Sequence, residues 1–179
     1  IYRDPVEILL SLLFMDGGKK LMGRNVNLSD SPEVLEKVQY IFESDDPSGW
    51  ALIKWFEEIF SIELGVDIYN QKFNSSSHYN ILNENGLDIL FLKFEELDST
   101  FSRACSQFFE LPEKQFLLQR MNLHGDKSNR NLQSYVKNNL SLSSESCHRI
   151  YSTKFASFFY SNHDRQAFVK KWGASSLGC

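Results

Sequence analysis

The sequence is poor in cysteine. Its three cysteines, Cys105, Cys147 and Cys179, lie far apart and form no CxxC pair. This spacing excludes the usual zinc-ligand patterns, and the odd number argues against a disulfide framework. The four histidines are scattered in the same way. We therefore expect no metal and no disulfide, and a reducing, cytoplasmic compartment is the simplest interpretation.

An excess of basic residues and a long apolar run are also lacking. The chain has 19 Lys and Arg against 23 Asp and Glu, which gives a net charge of −4, whereas nonspecific nucleic-acid binders are normally basic. The longest apolar run, ILLSLLFM, is well short of the ~20 residues that a membrane span needs. We expect neither a nucleic-acid partner nor a transmembrane segment in this chain. Any anion site must be built from a few well-placed groups.

A phosphate-binding glycine loop is the third feature that the sequence lacks. No GxxxxGK[ST] stretch occurs. Gly17-Gly18-Lys19-Lys20 ends a predicted helix instead of beginning one, so it offers no free helix amides to a phosphate. Gly125-Asp126-Lys127 has no apolar strand before it. The chain as given therefore contains no recognisable loop for a triphosphate or a phosphosulfate.

Hydrophobic periodicity predicts an α/β protein with few strands. Ile1-Tyr2 looks like the end of a strand. A helix then begins with Asp4 as its N-cap, Pro5 at the first helical position and Glu7 as the capping-box carboxylate three residues after the cap, and it runs to about Met15. Further helices are predicted at 31–44, 50–60, 98–109, 130–139, 145–160 and 163–172, the last of them capped by Ser161. Two extended runs, 79–82 and 87–94, flank an Asn85-Gly86 turn.

The second extended run, LDILFLKF at 87–94, is apolar almost throughout. Such a run suits a strand that is covered on both faces, as in a parallel sheet. A typical sheet has about 4–6 strands, more than this pattern supplies. We therefore interpret the chain as the C-terminal portion of a larger domain, with one domain over 1–172 and a frayed tail over 173–179.

The opening stretch RDPVEILLS places an arginine where a strand passes into a helix. This geometry collects anions in open α/β sheets, and the guanidinium of Arg3 suits phosphate. Ser11 supplies a single hydroxyl on an otherwise apolar helix face. The structural alternative is that Arg3 pairs with Glu7 or Asp4 and that Ser11 bonds to the backbone at Glu7.

RDPVEILLS resembles the 3′-phosphate-binding motif of sulfotransferases, which use 3′-phosphoadenosine 5′-phosphosulfate (PAPS). LDILFLKFEELDSTF at 87–101 is similar to a later strand of that fold and its Glu-Glu-Leu stretch. Two longer segments resemble a sulfotransferase-like family of capsular polysaccharide synthesis proteins: WFEEIFSIELGVDIYNQKF at 55–73 and IYSTKFASFFYSNHDRQAFVKKW at 150–172.

The resemblance implies a P-loop-NTPase-like, three-layer α/β sulfotransferase fold whose P-loop strand lies upstream of this chain. It implies sulfuryl transfer from PAPS, the co-substrate, to a glycan or polysaccharide hydroxyl, without a metal. Arg3 and Ser11 would hold the 3′-phosphate, and Arg120 and Lys127, in a late basic stretch, are candidates for the same role. The alternative for these two is an ordinary solvated charge. The catalytic base is expected upstream of this chain.

Two other functions stay open. One is a non-catalytic nucleotide-binding or structural segment of a capsular polysaccharide biosynthesis protein. The other is a glycosyltransferase, which would usually carry an Asp-x-Asp metal motif. The sequence has no such motif, and the adjacent pair Asp45-Asp46 lacks that spacing.

Three further residues have both a functional and a structural interpretation. Glu95 follows a predicted strand, where a general base is often placed, but a helix-capping or salt-bridging role is commoner there. Lys154 lies on a predicted helix with an aromatic stripe, where it either pairs with a carboxylate or contacts a ligand. We interpret the stripe itself, and Trp172, as core packing.

Overall fold

The computed structural model describes residues 1–14, 31–44, 56, 60–119 and 127–174. Within them the protein is a helix-rich, mixed α/β structure. Its helices are α1 (Pro5–Phe14), α2 (Ser31–Glu43), α3 (Ser61–Leu64), α4 (Leu97–Phe109), α5 (Lys127–Asn139), α6 (Ser144–Tyr151), α7 (Lys154–Phe159) and α8 (Asn162–Trp172). Its strands are β1 (Tyr79–Glu84) and β2 (Leu87–Leu92), and short 3-10 helices cover Ile68–Asn70, Phe94–Glu96 and Glu113–Gln115.

The predicted α/β class is confirmed for the described residues. The P-loop sulfotransferase fold stays a prediction. The predicted helix over 50–60 lies outside the described residues, apart from Phe56 and Phe60. Gly17-Gly18 and residues 120–126, which include Gly125, also lie outside them.

The two strands form the hairpin that the Asn-Gly pair predicts. They are antiparallel, with Tyr79 opposite Leu92 and Glu84 opposite Leu87. Asn85 and Gly86 both have positive φ angles, 52° and 74°. Two consecutive positive φ angles are the signature of the tight hairpin turn whose twist matches that of the strands.

A short third strand position lies beside this hairpin. Tyr2 forms a parallel bridge with Lys93. The Tyr2 N–H donates to the Leu92 carbonyl, and the Phe94 N–H donates to the Tyr2 carbonyl, each at 2.9 Å. The strand end predicted before the RDP motif is therefore present, and it aligns the start of α1 with the carboxyl end of β2.

The expectation that the second apolar run is covered on both faces is wrong for its first half. Leu87 is 38% exposed, Ile89 and Leu90 are half-buried, Phe91, Leu92 and Lys93 are buried, and Phe94 at the end of the run is exposed again. Among the described residues this strand belongs to a two-stranded antiparallel sheet, which leaves the turn end in solvent.

The core has two main parts. The first is aliphatic: side chains of α1, including Leu10 and Leu13, pack against residues of α2, α5 and α6. The second is aromatic and lies between β2 and α7, where the ring of Tyr2 stacks on that of Phe159 at 4.7 Å between centroids. The aromatic stripe of the sequence is therefore core packing, as predicted.

The single helix predicted over 145–160 is in fact two helices. Helix α6 ends at Tyr151, and α7 begins at Lys154. Thr153 is the N-cap of α7, and its hydroxyl accepts from the Ala156 N–H at 3.2 Å. This break lets Tyr151 join the aliphatic cluster while Phe155 joins the aromatic one. Apolar periodicity does not reveal the break because both helices are amphipathic.

Helix α8 begins as predicted, at a capping box formed by Ser161 and Asp164. The end of α8 is held by backbone hydrogen bonds to Leu142. The Leu142 N–H donates to the Trp172 carbonyl, and the Ala174 N–H donates to the Leu142 carbonyl, each at 2.8 Å. The first two residues of the predicted tail, Gly173 and Ala174, are thus bound to the body of the protein, and residues 175–179 lie outside the described part.

Substituting Gly86 tests the hairpin turn. Gly86 has φ of +74°, and an added Cβ meets nothing within 4 Å, so only backbone strain opposes Gly86→Ala. We expect Gly86→Ala to lower the free energy of unfolding by about 1–2 kcal/mol, measured by urea denaturation. Gly86→Asn is the matched control, because Asn tolerates this conformation better. An alanine variant as stable as the wild type would contradict the turn geometry.

Candidate functional site

The carboxylate of Asp4 joins three helices at the start of α1. One oxygen, Oδ1, accepts from the Val6 N–H at 3.1 Å and from the Tyr151 hydroxyl at 2.8 Å. The other, Oδ2, accepts from the Trp172 indole N–H at 2.7 Å. Asp4 is therefore the N-cap that the sequence predicts, and it also binds the ends of α6 and α8. The interpretation of Trp172 as a packing anchor gains a hydrogen bond that the sequence does not reveal.

This carboxylate is almost entirely buried, with 1% of Asp4 exposed. Burial raises the pKa of Asp4 to about 6, although the hydrogen bonds from Trp172, Tyr151 and the Val6 N–H act to lower it. Burial and the charge of Asp4 also raise the pKa of Tyr151, so its hydroxyl keeps its proton and remains a donor.

The capping box predicted at the start of α1 is wrong for one residue: Glu7 does not accept the hydrogen bond from the Asp4 N–H. The Asp4 N–H donates to Glu95 Oε1 at 2.8 Å, in place of the expected Glu7. The Tyr160 hydroxyl lies 3.3 Å from the other oxygen of Glu95. Glu95, which is distant in sequence, thus caps the start of α1. Helix capping is one of the structural roles predicted for it. The Asp4 and Val6 amides already have side-chain acceptors, so neither of these two is free to bind an anion.

Arg3 and Ser11, the two residues of the predicted phosphate motif, are in direct contact. Arg3 Nη1 donates to Ser11 Oγ at 2.9 Å, and Arg3 Nη2 donates to Glu7 Oε2 at 2.8 Å. The guanidinium also lies over the Phe94 ring, 4.1 Å from its centroid. The Arg3–Glu7 pair of the structural alternative is therefore present as well. Glu7 and Ser11 lie on one stripe of α1, as four-residue spacing requires, and Arg3, just before the helix, reaches both of them.

Two lysines that sequence reasoning missed complete this group. Lys137 Nζ donates to Glu7 Oε2 at 2.6 Å, and Lys171 Nζ donates to Glu7 Oε1 at 3.0 Å. Lys137 is in the last turn of α5, and Lys171 is in the last turn of α8. The five residues Arg3, Glu7, Ser11, Lys137 and Lys171 are called the Glu7 cluster below.

The Glu7 cluster carries three cations around one carboxylate. Glu7 is 9% exposed, whereas the side chains of Lys137 and Lys171 are 29% and 49% exposed. Burial tends to raise the pKa of Glu7, but hydrogen bonds from Lys137 and Lys171 outweigh it and hold the pKa below its ordinary value. Glu7 is therefore an anion at neutral pH, and the cluster has a formal charge of +2 that is open to solvent.

The other predicted basic residues are not placed in this cluster. Arg120 lies outside the described residues, and Lys127 is described only as the first residue of α5. Lys154 contacts the Tyr69 ring at 4.3 Å from its centroid. Lys171 precedes the Trp172 anchor, which is a weak signal for its position, whereas nothing in the sequence marks Lys137.

A cavity beside the hairpin is apolar. It has a volume of about 400 Å³, lies beside β2 and is lined by Ile1, Tyr2, Ile8, Phe56, Phe60, Ile89, Leu90, Phe91 and Phe155. Its lining contains no carboxylate and no cationic side chain. No residue of the Glu7 cluster lines this cavity. No group of His, Cys, Asp and Glu suited to a metal is found in the described ranges, and no helix there is long and apolar enough to cross a membrane.

One comparison with known proteins gives a match. A family model described as "Putative capsular polysaccharide synthesis protein" matches residues 24–161, well over half of the chain. The chain belongs to this family. No curated protein and no solved structure matches it. The region that matches the capsular polysaccharide synthesis family includes Lys137, but Arg3, Glu7, Ser11 and Lys171 lie outside it.

The pH dependence of stability tests the buried carboxylate. The pKa of Asp4 rises from its ordinary value of 3.8 to about 6 on folding, so the folded state binds this proton more tightly than the unfolded state. Wild-type protein should therefore gain stability relative to Asp4→Asn as the pH falls from 7 to 4. The gain is complete below the unfolded pKa and is lost as pH rises through the folded pKa. The expected change in the difference is on the order of 2–3 kcal/mol, measured by urea unfolding at each pH.

Trp172→Phe is the companion variant for this experiment. It removes an N–H that lowers the pKa of Asp4, so the pH window should move upward. Glu7 and Asp164 have lowered pKa values, and they titrate on the acidic side of the window. A difference between wild type and Asp4→Asn that stays flat from pH 4 to 7 would show that Asp4 is not the group that titrates.

Proposed function

We propose that this chain is part of a sulfotransferase of capsular polysaccharide biosynthesis. The enzyme would transfer a sulfuryl group from PAPS to a glycan hydroxyl, and its fold would be the P-loop-like sulfotransferase fold. Membership of the family supports the role in capsular polysaccharide synthesis. The observation that carries the finer proposal is the 2.9 Å hydrogen bond between Arg3 and Ser11, which joins the two residues of the motif that resembles a 3′-phosphate site.

The surroundings of Arg3 suit it to hold a phosphate. Its guanidinium is fixed on one face by Phe94 and on one edge by Glu7, so little side-chain entropy remains to be lost on binding. A guanidinium offers several N–H groups in one plane, which match phosphate oxygens in pairs. The Ser11 hydroxyl accepts from Arg3 in this structure, and its own hydrogen is available to a phosphate oxygen.

The described residues would hold only the 3′-phosphate end of the nucleotide. PAPS would supply the sulfuryl group, and sulfuryl transfer depends on holding donor and acceptor in line and on stabilising charge. We assign no catalytic base: Glu95 accepts from the Asp4 N–H, which identifies it as a helix cap. Arg120 and Lys127 remain candidates for a second contact to the same phosphate.

One observation favours a second candidate function. The pairing of Arg3 with Glu7 at 2.8 Å is what a purely structural arginine would also show. On this alternative the chain is a non-catalytic segment of a capsular polysaccharide biosynthesis protein.

Calorimetric titration of the full-length protein with 3′,5′-diphosphoadenosine, the desulfated co-substrate, tests the proposal. We expect binding by the wild type, and a loss of about 10-fold or more in affinity for Arg3→Ala and Ser11→Ala, the scale of a lost charge-assisted contact. Lys154→Ala is the matched control, because this exposed lysine stacks on Tyr69 and should leave affinity unchanged. Arg120→Ala and Lys127→Ala test the late basic stretch in the same titration.

Absence of binding by well-folded wild-type protein would reject the sulfotransferase proposal and favour the non-catalytic segment. Circular dichroism of each variant at the titration temperature separates a lost contact from a lost fold.

A further inference from the structure

We infer that Lys137 and Lys171 are phosphate ligands that act together with Arg3 and Ser11, and that Glu7 is their fixed internal counter-ion. The site would take a phosphomonoester dianion. The inference rests on the proposed function in one respect only, namely that this anion is the 3′-phosphate of a nucleotide. Binding of phosphate itself depends on the Glu7 cluster alone.

Charge is the first argument. Arg3, Lys137 and Lys171 each donate to one carboxylate, at 2.8, 2.6 and 3.0 Å. One carboxylate neutralises one of the three cations, so the cluster retains a charge of +2. Concentrating cations in this way is unfavourable unless something offsets their repulsion, and the chain as a whole is acidic, at −4. A dianion matches the formal charge of these five residues better than a monoanion does, and the buried Asp4 carboxylate also acts on Lys171.

The count of donors gives the second argument. An ammonium has three N–H groups, and in the described part of the chain each of the two lysines gives one hydrogen bond to Glu7. Both side chains are partly exposed, at 29% and 49%, so an anion arriving from solvent can reach them. The Nε–H of Arg3 is buried and has no hydrogen-bond partner among the described residues, so the donors that solvent reaches are those of the lysines.

The placement of Glu7 beneath the cations is the third argument. Glu7 is 9% exposed and lies on α1, whose apolar side packs into the aliphatic core. It therefore holds the cationic side chains from the protein side and leaves their outer side to solvent. Each lysine sits in the last turn of its helix, where the helix dipole favours a cation. Helix position alone does not account for the cluster, because Lys170 shares that last turn of α8 and forms no ion pair with Glu7.

Lys170 consequently provides a matched control for Lys171. The two residues are adjacent, are exposed and carry the same charge, but only Lys171 contacts Glu7. Glutamine is the appropriate replacement, since it removes the charge, keeps much of the side-chain stem and retains an N–H for Glu7. Lys137→Gln, Lys171→Gln and Lys170→Gln are therefore compared.

The experiment is calorimetric titration of the full-length protein with inorganic phosphate near pH 8, with chloride at matched ionic strength as the blank. We expect the wild type and Lys170→Gln to bind phosphate equally. Lys137→Gln and Lys171→Gln should each bind about 10-fold more weakly. Phosphate should also raise the melting temperature of the wild type by mass action, and it should raise that of the two cluster variants less.

Titration with 3′,5′-diphosphoadenosine and with adenosine 5′-phosphosulfate, which lacks the 3′-phosphate, links the site to the nucleotide. The two cluster variants should lose affinity for the first compound and keep their affinity for the second. If phosphate binding depends on Lys137 and Lys171 but the nucleotide does not bind, the inference stands and the proposed function fails.

If the nucleotide binds through Arg3 and Ser11 while both cluster variants bind it as the wild type does, the proposed function stands and the inference is overturned. A lower melting temperature in Lys137→Gln and Lys171→Gln, with unchanged phosphate affinity, would likewise overturn it. The two lysines would then only hold Glu7 in place.

Discussion

The arrangement of helices around the start of α1 depends on one buried carboxylate. Asp4 accepts from its own helix, from Tyr151 of α6 and from Trp172 of α8. Burying this carboxylate is costly without hydrogen-bond donors, and the three helix ends that meet here supply them. The backbone of the same residue is held by Glu95, which follows β2. One residue therefore sets the position of the sheet edge and of three helices.

The position of the Glu7 cluster follows from this junction. Glu7 lies three residues after Asp4 on the same helix, and Lys171 is adjacent to Trp172, so the contact between Asp4 and Trp172 brings Glu7 and Lys171 together. The two carboxylates have opposite environments. Burial raises the pKa of Asp4 to about 6, whereas the lysine hydrogen bonds lower that of Glu7. Asp4 joins the helix ends, whereas Glu7 binds three cationic side chains that remain open to solvent.

Family membership and the candidate site concern different parts of the chain. The match to the capsular polysaccharide synthesis family covers residues 24–161, which include α2, the β1–β2 hairpin and α4 to α7. The Glu7 cluster takes Lys137 from that region and its other members from α1, the residues just before it and α8. The matched region therefore forms much of the scaffold, and the flanking residues supply most of the charged groups on it.

Local signals in the sequence determined the local structure. Asp4-Pro5 predicted the start of α1, Asn85-Gly86 the hairpin turn, and Ser161 the start of α8, because caps and turns depend on neighbouring residues alone. The shared stripe of Glu7 and Ser11 on α1 also follows from helical spacing. Only the tertiary structure decided what distant side chains do at that stripe. It replaced Glu7 by Glu95 as the cap and brought Lys137 and Lys171 to Glu7. The two lysine contacts join residues more than a hundred positions apart. No local sequence pattern encodes such contacts, because they depend on how whole helices pack around the buried charge of Asp4.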